Sequence, residues 1–411
     1  MNAAALQRRP PVPGSHTTRP TRRRRLVAAV MAATVVCAGL LALPRLLRAE
    51  RTTVCGTDAL QATAVAGLAG FARWLESNHA AGFVGEVGWP SDTDGQAWNA
   101  LAETWYDAAD AIGLPVTAWA AGRWPAGYRL AIYRPTGGSA LNTTGPQASV
   151  VQRHPSTRTM PRGVALASGA FGTYSSTKPG RYGFDYSYDT GDSYAFLANR
   201  GIRLVRLAFA WERVQPVPLR PLRDEEVQRL RAALDRAAAA GLRVVLDLHN
   251  YGTFAVGDAR LALGSAGLPT AALADLWRRL ALATADRPAV AGYGLMNEPT
   301  SLAAKGRDGA QLWQRASQEA VDAIRATGST RTISVSGYAQ TAPAQWGQLH
   351  RRAWIDDPLD RITYEAHAYF DADNSGRYAA SYADELRRTA QAPAPPRCQA
   401  IARTTKHPFD S

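Results

Sequence analysis

Cysteine is scarce in this sequence, three residues in 411, and neither a C-x-x-C nor an H-E-x-x-H pattern is present. Those spacings bring thiolates or a helical His pair onto a metal, so no metal centre is expected. No G-x-G-x-x-G or Walker loop follows a predicted strand, which removes the phosphate cradle that nucleotide-binding folds need. Basic charge is also missing from most of the chain. The net charge is +13, yet residues 1–51 hold ten Arg against one acid, Glu50, so that segment supplies +9 and the other 360 residues only +4. A terminal cluster is not a basic face on a folded domain, and nucleic acid is not an expected partner. Apolar residues, by contrast, make up 46% of the chain, enough for one large barrel or two ordinary domains.

The terminal cluster has its own meaning. Arg22 to Arg25 directly precede Leu26 to Leu43, eighteen residues without a charge, the pattern of an export or membrane signal. The candidate cleavage site Leu47-Arg48-Ala49 has no small residue at its first position. The expectation is therefore a basic cytoplasmic tail (1–25), a transmembrane anchor or signal segment (26–48) and a linker (49–57), with an extracytoplasmic domain held at the cell membrane. Twin-arginine export followed by cleavage and secretion is the alternative. Cys37 lies inside the apolar segment, which leaves Cys55 and Cys398 as a disulfide or as two free thiols.

From residue 58 onward helical and strand patterns alternate. Short apolar runs at 83–87, 115–120, 162–166, 202–209, 242–248, 292–296, 332–336 and 362–368 read as strands, and segments of helical period such as 58–79, 96–112, 224–240 and 311–326 separate them. No two strands are close enough for a hairpin. Eight strands alternating with eight helices predict an α/β fold, a (β/α)8 TIM barrel over 58–380, followed by a C-terminal tail (381–411). A doubly wound open sheet is the competing architecture.

Strand C-terminal ends converge on one mouth in such a barrel, so the polar residues there should make joint chemical sense. They are Arg206, then His249 and Asn250, then Asn297, Glu298 and Pro299, and finally His367 and Tyr369. Any one of these has an ordinary packing explanation; four strand ends in one register do not.

With RGVALASGAFG at 162–172 and MNEP at 296–299, the sequence resembles glycoside hydrolase family 5, the cellulase family of retaining barrel glycosidases. The resemblance calls for a nucleophilic Glu on a seventh strand and a Trp on an eighth, but no E-x-G motif follows the HAYFDADNSG strand. FVGEVGW at 83–89 and VTAWAAGRW at 116–124 resemble those missing strands, which implies a circular permutation that starts the barrel at its sixth helix. The resemblance implies Glu86 as nucleophile and Glu298 as general acid/base, with Arg206, His249, Asn250, Asn297, His367, Tyr369 and Trp119 binding substrate, and neither metal nor organic cofactor; Trp124 and Trp211, aromatics near predicted loops on the catalytic face, are further substrate-binding candidates. The two roles need opposite protonation states, Glu298 carrying a proton while Glu86 is ionised beside a cation such as Arg206. The expected activity is retaining hydrolysis of internal β-1,4-glucosidic bonds of a β-glucan by a monomer. A β-mannanase, a β-1,3-glucanase, a glycolipid glycosidase or an inactive glycan-binding barrel are the alternatives.

Overall fold

The computed structural model describes residues 51–409 apart from 173, 340, 394, 405, 407 and 408. The predicted tail and anchor (1–48) lie outside the described residues. Among the described residues no helix is long and apolar enough to cross a membrane.

The strands, in chain order, are β1 (Arg51–Cys55), β2 (Ala81–Gly88), β3 (Val116–Ala121), β4 (Tyr133–Arg134), β5 (Thr143–Thr144), β6 (Arg162–Leu166), β7 (Leu204–Phe209), β8 (Arg243–Leu248), β9 (Thr253–Val256), β10 (Ala259–Ala262), β11 (Val290–Gly294), β12 (Thr332–Ser336), β13 (Ile362–Tyr369) and β14 (Cys398–Ala402). Eight of them pair in parallel in the order β2-β13-β12-β11-β8-β7-β6-β3, and β2 pairs with β3 to close the ring. Closure explains why every residue of β2, β3, β6, β7, β11 and β12 is buried: one face fills the barrel and the other lies under helices.

Helix ends follow local chemistry. Asp58 caps the Ala59–Ser77 helix by accepting from Gln61 N at 2.9 Å, and Gly113, at φ 83°, ends the Gly95–Ile112 helix in the left-handed region that costs glycine little. The strand expected at 292–296 runs Val290–Gly294 (β11), but the parallel ladder continues past it, with Leu295 N donating to Ser334 O and Asn297 N to Leu248 O. Between β12 and β13 the chain forms a 3-10 turn (Pro343–Gln345) followed by the short helix Trp346–Leu349.

Two expectations need correction. A hairpin does exist: β9 and β10 pair antiparallel across Gly257-Asp258, with Gly257 at φ 57°, the left-handed turn geometry that two-residue hairpins favour. The segments read as linker and tail are structured, since β1 pairs antiparallel with β14 and a further helix spans Tyr382–Gln391. Cys55 and Cys398 face each other across that ribbon and form a disulfide. The chain's end also closes the bottom of the barrel. Phe409 packs with Phe83, Leu204, Val245 and Ala291, its ring edge-on to Phe83 at 5.2 Å.

Candidate active site

The centre of the barrel is charged, and one arginine organises it. Arg206 on β7 is fully buried. Its Nη1 contacts Glu86 Oε1 at 2.8 Å and Asp247 Oδ2 at 2.9 Å, its Nε faces Glu365 Oε1 at 2.9 Å, and its Nη2 donates to Asn297 Oδ1 at 2.7 Å. Burial opposes its charge, but the carboxylates of Asp247, Glu365 and Glu86 outweigh that cost and hold its pKa above the ordinary value. Strand periodicity places these partners. Glu365, His367 and Tyr369 are two apart on β13 and share a face, as do Asp247 and the following His249 at the end of β8. The neighbouring strand leaves room for this: a Cβ at Gly85 would meet Glu365 Oε1 at 1.9 Å.

A second cation bridges the carboxylates. His367 Nδ1 lies 2.9 Å from Glu298 Oε1 and 3.6 Å from Glu86 Oε2, while Nε2 lies 3.0 Å from Glu365 Oε1. Burial works against its charge, yet Glu86, Glu298 and Glu365 raise its pKa to about 10. It is an imidazolium at neutral pH, donating from both nitrogens. Glu365 is affected the other way: burial raises its pKa, but Arg206, His367 and a bond from Ser334 Oγ bring it down to about 2.

Glu86 is held at both oxygens, by Arg206 and by Tyr369, whose hydroxyl donates to Oε2 at 2.6 Å. Burial and the charge of Glu86 keep the Tyr369 phenol well above its usual pKa, so it remains a donor. Glu86, Glu298 and His367 each present one atom within 4.8 Å of the other two, so the two carboxylates face each other across a single gap. Glu298 has a backbone φ of 39°, an uncommon conformation for a residue with a side chain and one that recurs at functional sites.

Above the carboxylates lies a cavity of about 220 Å³ bounded by Trp119, Trp124, Tyr128, Phe171, Tyr251 and the two glutamates. Trp119 stacks on His249 (5.5 Å, 10°) and donates from Nε1 to Tyr128 OH at 2.6 Å. Trp124 stacks on Tyr128 at 4.2 Å. His249 Nδ1 faces Asp247 Oδ2 at 2.7 Å and Tyr251 OH lies 3.1 Å from its Nε2, which leaves the ring edge-locked with Nδ1 protonated.

Of the residues singled out from the sequence, Glu86, Glu298, Arg206, Asn297, His367, Tyr369, His249, Trp119 and Trp124 meet at this mouth. Asn250 is beside it but fully engaged, accepting from Trp211 N and donating to Glu212 Oε2 and Thr253 O. Trp211, expected in the cleft, is in the core: it has no exposed surface, packs edge-on to Phe254 and donates to Gln215 one turn later. Glu365 and Asp247 were missed as members of the site. Each lies two residues before a recognised one, and the period-2 rule for strands was the signal that could have found them.

Fold and site together define a (β/α)8 barrel with a facing pair of carboxylates at the C-terminal ends of its strands. Residues 168–398 match the family model described as Cellulase (glycosyl hydrolase family 5), and the chain belongs to that family. It is similar to endoglucanase gh5-1 of Neurospora crassa, 29% identical over 227 residues covering 54% of each chain. It is also similar to endo-beta-1,4-glucanase A of Emericella nidulans, 31% identical over 201 residues covering 48% of this chain and 57% of that one. Among solved structures, Pseudomonas stutzeri endoglucanase Cel5A in complex with cellobiose is 38% identical with a TM-score of 0.44, covering 49% of this chain and 57% of that chain. The chain spans about half the length of the curated relatives it matches.

Proposed function

We propose that the protein is a retaining endo-β-1,4-glucanase acting by double displacement, with Glu86 as nucleophile and Glu298 as acid/base. The observation that carries this reading is the approach of one oxygen of each carboxylate to within 4.8 Å. Retaining enzymes keep the pair about 5 to 5.5 Å apart, whereas inverting enzymes leave about 6.5 to 9.5 Å for a water.

Arg206 and Tyr369 fix Glu86 as an ionised acceptor pointing at the anomeric carbon. Glu298, with 16% of its side chain accessible, accepts from His367 through Oε1 and carries on its other oxygen the proton for the leaving group. Attack forms the bond from the Glu86 carboxylate to the anomeric carbon as the glycosidic C–O bond breaks and the departing oxygen takes the Glu298 proton. Water then attacks the anomeric carbon of this glycosyl ester, Glu298 takes the water's proton, and the bond from that carbon to Glu86 breaks to free the carboxylate. Three buried carboxylates, Glu86, Asp247 and Glu365, against the cations Arg206 and His367 leave the site electronegative, which favours the positive charge that develops on the sugar. Arg206 fixes the Asn297 amide through Oδ1, so Nδ2 is the group available to the sugar's 2-hydroxyl. Trp119 serves as the floor under the sugar and Trp124 as part of its rim.

The reading includes a circular permutation. Its support is that the family match begins at 168, while Glu86 and Trp119 stand on strands that precede it and complete the ring between β13 and β6. Export to an oxidising compartment is supported by the disulfide; anchoring through 26–48 rests on sequence alone. The test is turnover of soluble carboxymethylcellulose by the parent and by Glu86→Gln and Glu298→Gln. Activity in the parent and its loss in both variants is expected. A parent that binds the glucan without cleaving it makes the barrel a binding module.

A further inference from the structure

A second buried arginine, seven residues beyond Arg206, is not held by carboxylates. Arg213 has no exposed surface. It donates from Nη1 to Gly169 O at 2.5 Å, from Nη2 to Phe171 O at 2.9 Å and from Nε to Pro179 O at 2.8 Å. Its guanidinium lies 4.2 Å from the ring centre of Tyr174 and 3.9 Å from that of Tyr186. A planar fork of donors is the side chain that satisfies several carbonyls while offering its faces to aromatic rings. All five contacts are to the loop that follows β6, so the guanidinium is the hub around which that loop folds.

The loop has a surface consequence. Ser168, Phe171, Gly172 and residues 184–187 form one wall of an open cleft of about 570 Å³, and residues 123–125 stand across from it. Trp124 and Phe171 border both this cleft and the catalytic cavity. The cleft sits over β3 and β6, and in the ring order β3 is diametrically opposite β11, the strand that leads to Glu298. The proton donor stands on the leaving-group side of the scissile bond. The cleft therefore lies on the side of the sugar that is attacked.

We infer that Arg213 is a positioning residue that sets how many units of a β-1,4-linked glucan are held beyond the attacked sugar and its first neighbour, the two units a cellobioside already supplies, by fixing the loop wall of this cleft. The inference rests on the glucanase reading above. Its test is initial-rate kinetics of the parent, Arg213→Lys and Phe184→Ser on cellohexaose and on 4-nitrophenyl β-cellobioside. A lysine ammonium spans neither the three carbonyls nor the two rings. Arg213→Lys should raise KM for cellohexaose about three- to tenfold, the scale of one or two aromatic contacts. Its kcat should stay within about twofold and its cellobioside kinetics should not move, a split that a general loss of stability does not produce.

Phe184 is 77% exposed at the cleft wall, so its replacement leaves the core alone; Phe184→Ser should raise the cellohexaose KM in the same direction and carries the test where Arg213→Lys does not fold. Equal changes on both substrates, or an unchanged cellohexaose KM in the folded variant, would overturn the proposal. Should the parent cleave neither substrate, the glucanase reading fails by itself, and calorimetric titration with cellohexaose then decides this one: weaker binding to Arg213→Lys supports it, equal binding sinks it.

Discussion

Arg206 and Arg213 are the same side chain, both fully buried, and their surroundings have opposite chemistry. Around Arg206 the barrel supplies three carboxylates, which raise its pKa against the cost of burial; around Arg213 the loop supplies carbonyl dipoles and ring faces, and burial lowers its pKa. A charge solvated by other charges belongs to a titrating network, and removing it strands its partners. A charge solvated by dipoles fixes backbone geometry, and removing it lets a loop relax. The barrel centre is thus built for chemistry and the loop hub for shape.

The most severe way to probe the centre is at Glu86. Glu86→Gln keeps the shape and removes the nucleophile, and initial rates on a soluble glucan should fall on the order of 10⁴-fold, as expected when a member of a cooperating catalytic set is lost. Far-ultraviolet circular dichroism should be unchanged. Arg206→Met leaves Glu86, Asp247 and Glu365 without their shared cation, and denaturant unfolding should show a loss of about 3–5 kcal/mol, the usual cost of breaking a buried ion network from one side. Arg213→Met should lose less, because carbonyls left without a donor carry no net charge. Equal losses at the two arginines would break the comparison.

A pH series separates the two regions. His367 has its pKa raised from 6.5 to about 10 in the fold. Its contribution is therefore fully present below about pH 6.5 and is lost as pH rises towards 10. Glu365 is lowered from 4.5 to about 2, so its contribution is present above about pH 4.5 and is lost as pH falls towards 2. The melting temperature should be highest between those limits. His367→Gln should flatten the alkaline limb, and Arg213→Lys should leave it in place.

The smallest effect on activity should come from the disulfide. The full chain has three cysteines, and thiol titration under denaturing conditions should find one before reduction and three after. A cross-link closing so long a loop contributes on the order of 4 kcal/mol, so reduction should lower the melting temperature while kcat at low temperature holds. Three thiols without reductant would remove the disulfide from the account.

Much of the barrel was legible because strand and helix periods are local properties. The runs around Glu86, Arg206 and His367 each declared a buried strand, and the polar residues ending them stood out against apolar neighbours. What escaped was decided at a distance. The β1–β14 ribbon joins residues over 340 positions apart through a disulfide, and neither segment has enough apolar period to announce itself. Phe409 gave no sign of its place, since only the closed barrel creates the hole it fills. Trp211 follows a strand as a cleft aromatic would, but the turn of helix it begins (Trp211–Val214) directs it inward. Arg213, two residues later, gave no sign of its role because its partners are main-chain carbonyls, which every sequence has.

The central claim is that Glu86 and Glu298, from opposite halves of the chain, act as a retaining pair. Proton nuclear magnetic resonance of the anomeric region during the first turnovers of a cello-oligosaccharide tests it directly. The account predicts that the β-anomer appears first and the α-anomer only later, as the free sugar mutarotates. Immediate appearance of the α-anomer would mean inversion, and would contradict both the assigned roles and the mechanism built on them.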